Sequence, residues 1–204
     1  MSRWKPVIEI WIRPTRTIQQ VLHSTTITQL AILILFSGLS HSLIGGYVFG
    51  ERFPDANILL YVLLASPVVG VVSWILWSTI IFLCAKLLKG EGTWEETGVA
   101  IAWAQIPYIA EIILEVPYLI VDGNRVFTEE SAIYLVPPMY NDLYVVLSWV
   151  ISIWAIFTIS KSIAVAHRIS AWGGFIVVYL LPIFALVLPF VLVAMIFLSL
   201  GFLQ

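Results

Sequence analysis

Two carboxylates, Glu111 and Glu115, stand four residues apart in AIAWAQIPYIAEIILEVPYLIV, a stretch with no other formal charge. A spacing of four puts both on one face of a helix. Tyr108 lies three residues before Glu111 on nearly the same side, and Gln105 and Pro107 lie about one turn earlier. His41, in SGLSHSLIGG, and Ser66 beside Pro67 are further polar groups inside apolar runs. A Glu–His or Glu–Tyr hydrogen bond from such a set would order a helix bundle. A titrating carboxylate there could instead carry protons or cations. His41 with Glu111 and Glu115 is a weak candidate for a divalent ion, because neither a His pair nor a familiar ligand spacing accompanies it. Glu115, nearer one end of its run, could also simply reach the headgroup layer.

The chain around these residues decides which chemistry is open to them. Of 204 residues, 61% are hydrophobic and only 11% are charged. A chain of this size cannot build an interior large enough to hide so much apolar surface. The net charge of -2 offers no basic footprint for nucleic acid. No Asp, Glu, Lys or Arg occurs between Asp55 and Lys86, and none follows Arg168. A membrane-crossing helix needs roughly 20 such residues, whereas a membrane barrel would show short alternating segments. The fold class is therefore an all-α integral membrane protein whose partner is the lipid bilayer. Five spans are expected, near 27–49, 58–83, 97–121, 143–166 and 172–203, forming a bundle over residues 27–204.

Residues 1–26 are expected to form an interfacial segment. In TRTIQQVLHS the apolar Ile18, Val21 and Leu22 recur at helical spacing, Trp4 and Trp11 suit the headgroup layer, and Thr15 or Thr17 could cap a helix. The segment lacks the pattern of a cleaved signal peptide. Lys and Arg divide eight to two: Arg3, Lys5, Arg13, Arg16, Lys86, Lys89, Lys161 and Arg168 on one side, Arg52 and Arg125 on the other. That places the N-terminal side in the cytoplasm and, after five spans, the C-terminus outside. His167 and Arg168 read as ordinary cytoplasmic anchors. Cys84 is the single cysteine and excludes an internal disulfide.

Spans one, two and three are expected to enclose a polar pocket in the outer half of the membrane, made by Glu111, Glu115, His41, Gln105, Tyr108 and Ser66, with Glu111 paired to His41. Gly38, Ser42 and Gly46 form a ladder of small residues suited to close helix contact. Glu95-Glu96 resembles the double glutamate of membrane prenyl-endopeptidase relatives, but the Arg required four residues later is Ala100. No catalytic constellation and no cofactor site is expected.

Three stretches resemble the Yip family, the Ypt/Rab-interacting membrane proteins, in their short prokaryotic form. WIRPTRTIQQVL resembles the family's segment before the first span. CAKLLKGEGTWEETGVAIAWAQIPYI resembles the central pattern of basic end, Gly-rich turn, short helix and Ala-rich span. WVISIWAIFTISKSIAVAHRISAWGGFIVVYLLP resembles the late pattern of a Trp-bearing span, basic turn and last helix. The resemblance implies five spans, a cytoplasmic N-terminus and a prokaryotic cytoplasmic membrane. Together with the small-residue ladder and the lack of a catalytic constellation, it points to a non-enzymatic, trafficking-type role in binding or organising membrane proteins, a second copy of the chain included. Relatives that bind small GTPases carry a longer soluble N-terminal region, which puts small-GTPase binding in doubt here. The alternatives are a small transporter or channel using Glu111 and Glu115, and a metal-binding or catalytic intramembrane site.

Overall fold

The computed structural model describes residues 4–53, 55–127, 137–185, 187 and 195. Four helical stretches are long and apolar enough to cross a membrane: Ile27–Arg52, Ile58–Leu87, Trp94–Val121 and Pro138–His167. At about 1.5 Å per residue even the shortest exceeds the roughly 30 Å hydrocarbon layer. We label them α3 (Ile27–Arg52), α4 (Ile58–Leu87), the pair α5 (Trp94–Ala104) and α6 (Ile106–Asp122), and α7 (Pro138–His167). Two short helices precede them, α1 (Lys5–Ile12) and α2 (Pro14–Val21). The expected fifth span is described as an apolar helix over Ala171–Ala185, and most of its remainder lies outside the described residues.

Local chemistry sets the ends of these helices. Thr26 and Gln29 form a reciprocal capping box at the start of α3, and Thr93 with Glu96 does the same for α5. Each satisfies two backbone donors that the first turn leaves free. The second box is why the third pass begins at Trp94, three residues before the expected start. The fourth begins at Pro138, ahead of the expected 143, since proline suits a first helical turn. Neither Thr15 nor Thr17 caps α2: its N-cap is Arg13, Pro14 opens the helix, and the Thr17 hydroxyl donates back to the Arg13 carbonyl at 2.9 Å.

Prolines mark the irregularities. Pro67 cannot donate to the Leu63 carbonyl one turn back. The Ser66 hydroxyl donates to that carbonyl instead, at 3.0 Å, and α4 continues unbroken. Pro107 separates α5 from α6, and just beyond the break the Tyr108 carbonyl accepts from the Ser40 hydroxyl of α3 at 3.1 Å. Ahead of Pro182 the last helix widens into a π turn over Ile176–Leu180, in which the Leu181 N–H reaches back to the Ile176 carbonyl.

The helices alternate in direction, so α1, α2, the α4–α5 turn and the α7–α8 turn share one end, where α8 is Ala171–Phe175. The Glu91 N–H donates to the His167 carbonyl at 3.0 Å there. Ile10, Ile18 and Val21 are fully buried in the core cluster at that end, together with Trp103 and Ile163. The Trp103 indole donates to the Thr25 hydroxyl at 2.8 Å. A second core at the opposite end joins Leu43, Val62, Tyr118 and Phe127. Along α4 and α7 many large apolar side chains, among them Leu64, Val68, Leu76, Val146, Trp149 and Phe157, are exposed, a surface suited to lipid.

Candidate functional site

The small-residue ladder lies in the contact between α3 and α4. A Cβ on Gly38 would collide with the Ser66 carbonyl and come within 2.6 Å of the Gly70 Cα. A Cβ on Gly46 would come within 2.9 Å of both Val62 and Phe127. Ser42, between them, is buried and its hydroxyl has no partner among the described residues. Ser66 is also buried in this contact.

The acidic residues of α6 face away from it. Glu115 accepts hydrogen bonds from Tyr47 of α3 at 2.8 Å and from Tyr144 of α7 at 2.6 Å. One carboxylate thus holds three helices. Around it the Tyr140 hydroxyl donates to the Leu114 carbonyl at 2.7 Å, and the Tyr118 hydroxyl donates to Asn141. The Tyr118 ring lies 5.4 Å from the rings of both Tyr140 and Tyr144, at angles typical of favourable aromatic pairs. Glu111, on the same face of α6, lies toward Ser152 of α7.

His41 takes another direction. Its Nδ1 lies 2.6 Å from the Ser37 carbonyl of its own helix. A carbonyl only accepts, so Nδ1 donates to it. His41, Ser37, Ser73 and Gln105 line a void of about 10 Å³ between α3, α4 and α5, the size of one water. His41, Gln105 and Tyr108 also line a larger cavity of about 340 Å³.

The expected pocket is therefore divided. His41, Gln105 and Tyr108 come together, Glu111 and Glu115 join α7, and Ser66 belongs to the α3–α4 seam. The expected Glu111–His41 pair is not formed: no hydrogen bond or ion pair joins them among the described residues. Spacing put both carboxylates on one face of α6, but packing turned that face toward α7 as well as α3. The weak metal set of His41, Glu111 and Glu115 is likewise not gathered, and no group of three possible ligands occurs among the described residues.

Sequence reading missed Tyr47, Tyr144 and Ser152. Tyr140 and Tyr144 share one helical face, and a stripe of phenols near a helix end was the available signal. It also gave no sign of the burial of His167, expected as an ordinary cytoplasmic anchor. That ring is fully buried, with Nε2 at 2.8 Å from the Thr97 hydroxyl. Around it Lys86 donates to the carbonyls of Gly90 and Gly92, each at 3.0 Å, and Arg168 pairs with Glu96 at 3.1 Å. The α4–α5 turn is thereby folded onto the end of α7.

Comparison with curated proteins and with solved structures returned no match. The Yip1 domain family model matches residues 8–195. That match covers nearly the whole bundle, from α1 through α7 and into the last helix, including the Lys86–Gly92 turn and the residues around Glu115. With its all-helical, membrane-length elements, this chain belongs to the Yip1 domain family of integral membrane proteins.

Proposed function

We propose that this protein is a non-enzymatic component that organises or binds other membrane proteins, its own second copy included, rather than a transporter, channel or enzyme. The observation that carries the reading is the use made of the intramembrane acids. Glu115 is engaged by Tyr47 and Tyr144 in bonds that tie three helices together, and Glu111 lies on the same face of α6. Neither acid lines the cavities around His41. A conducting carboxylate needs access to water or to a file of exchangeable partners; Glu115 is built as a cross-brace. The broad apolar faces of α4 and α7 supply surface for lipid or for a neighbouring membrane protein.

Purified protein in sealed vesicles should show no proton or cation flux above empty vesicles, while crosslinking in native membranes should join it to other membrane proteins or to itself. Flux that disappears in Glu111→Gln or Glu115→Gln would replace this reading with the transporter.

The orientation is part of the proposal. Arg13, Arg16, Lys86, Lys89 and Arg168 belong to the end shared by α1, α2 and the α4–α5 turn, whereas Arg52 and Arg125 belong to the other. The excess of basic residues assigns the first end to the cytoplasm. At that end α1 leaves Ile8 and Ile12 71% and 75% exposed while burying Ile10, which suits a helix resting between protein and lipid. Cys84 is buried and makes a poor reporter. Lys89→Cys in a Cys84→Ala background, placed in the exposed turn, should react with an impermeant thiol reagent only after the cells are opened. Labelling in intact cells would reverse the orientation.

A further inference from the structure

A groove of about 560 Å³ lies between α3 and α4, on the half of the bundle nearer Arg52. His41, Gly45 and Phe49 on α3, and Tyr61, Ala65 and Val69 on α4, recur every four residues, so each helix gives the groove one stripe. Gly45 leaves the floor open: a Cβ added there would meet nothing within 4 Å. Phe49, Phe53 and Tyr61 form the rim and are 61%, 54% and 62% exposed. The wall is mostly apolar, the Ser42 hydroxyl is closed off within the protein, and His41 Nδ1 donates within its own helix. From His41 to Phe53 the groove follows α3 for roughly 18 Å, at about 1.5 Å per residue. One leaflet supplies about half of the roughly 30 Å hydrocarbon layer. The groove is therefore about as long as one acyl chain is deep.

The mouth of the groove carries both signs of charge. Arg52 stands seven residues after Gly45, on the same stripe of α3, and Glu51 is its neighbour in the last turn. Asp55 precedes Ala56, which lines the groove. All three charged side chains are exposed, and no ion pair joins them among the described residues. Tyr61, in the first turn of α4, sets a phenol at the depth where such rings meet headgroups. A phosphate suits Arg52, whose planar guanidinium can donate to two of its oxygens. An ammonium suits the two carboxylates. A headgroup with phosphate and no amine would bring its negative charge up to Glu51 and Asp55 unrelieved. A choline ammonium has no N–H to donate to them. The complement is a phosphate joined to a primary ammonium.

We propose that this groove docks a phospholipid with an ethanolamine headgroup. One acyl chain lies along Gly45 and Ala65 between the two helices, the phosphate meets Arg52, and the ammonium meets Glu51 and Asp55. The site is independent of the scaffold reading, because a scaffold holds its neighbours whether or not this groove selects its lipid.

The test uses the full chain in lipid nanodiscs doped with phosphatidylethanolamine, phosphatidylcholine or phosphatidylglycerol, each bearing the same photoactivatable acyl chain. Phosphatidylethanolamine should label peptides within residues 41–53 and 58–69 most strongly and be displaced by its unlabelled form. Arg52→Gln should weaken that labelling roughly two- to fivefold, the scale of one exposed ion pair. Glu51→Gln with Asp55→Asn should erase the preference over phosphatidylcholine. Gly45→Leu fills the floor without touching the rest of the protein and should abolish groove labelling while the melting temperature in detergent stays the same. Equal labelling by the three lipids, a preference for phosphatidylglycerol, or labelling that ignores Arg52→Gln would overturn the proposal. So would a groove that no lipid labels, the result expected if a second copy of the chain fills it.

Discussion

Gly38→Leu should lower the melting temperature in mild detergent by roughly 6–12 °C, whereas Gly45→Leu, seven residues along the same helix, should leave it nearly unchanged. The two glycines share a helix and an intrinsic preference, so propensity cancels between them. Their surroundings differ. A Cβ at Gly38 runs into the α4 backbone, within 2.6 Å of Gly70 Cα and N, while one at Gly45 meets nothing within 4 Å. Backbone cannot rotate away as a side chain can, so α3 and α4 must separate along their longest shared seam. Overpacking costs about 1–3 kcal/mol and sometimes more. For a chain of this size each kcal/mol is worth roughly 2–4 °C, and a cost near the top of that range gives the stated shift. Ser42→Leu should act in the same direction, since Ser42 is buried in the ladder. If the Gly38 and Gly45 variants melt together, the seam is not as drawn.

The second large effect is expected at Glu115. Glu115→Leu removes the acceptor shared by Tyr47 and Tyr144 and leaves two phenolic hydroxyls in an apolar setting. In water-soluble proteins each orphaned donor costs about 1–3 kcal/mol. Within a membrane the unfolded reference also finds partners, and measured interhelical bonds average about 0.6 and reach about 1.7 kcal/mol. The second scale should govern here, giving a total of about 1–3 kcal/mol. Glu115→Gln keeps one carbonyl oxygen and should lose less. The discriminating measurement is a cycle with Tyr144→Phe. Once Glu115 is Leu, removing the Tyr144 hydroxyl should cost almost nothing, so the two losses must fall short of additivity by about 0.5–1.7 kcal/mol. Full additivity would mean that the carboxylate does not brace α6 to α7.

Both effects rest on features that differ in how far the chain alone discloses them. The small-residue ladder was readable because its spacing of four places Gly38, Ser42 and Gly46 on one stripe of any helix. Likewise the prolines predict where helices must be broken or repaired, since a missing N–H has the same consequence in every fold. Pro107 separates two helices, Pro182 follows a π turn, and at Pro67 the neighbouring Ser66 supplies the missing donor. Tyr47 and Tyr144 carry no such mark: they are distant in sequence and meet only through Glu115.

What the sequence by itself determined is the solvent and the element type. Long uncharged stretches demand lipid, and lipid demands that each backbone group be satisfied within its own helix. Both follow from counting along one dimension. Rotation about each helix axis and the choice of neighbour were decided only in three dimensions. Nearly every face of these helices is apolar, so hydrophobic periodicity gives no strong preference for one orientation over another, and close packing among many similar surfaces selects it. That selection turned Glu111 to Ser152 and His41 back to Ser37. It also sealed His167, expected as an ordinary cytoplasmic anchor, beneath the α4–α5 turn.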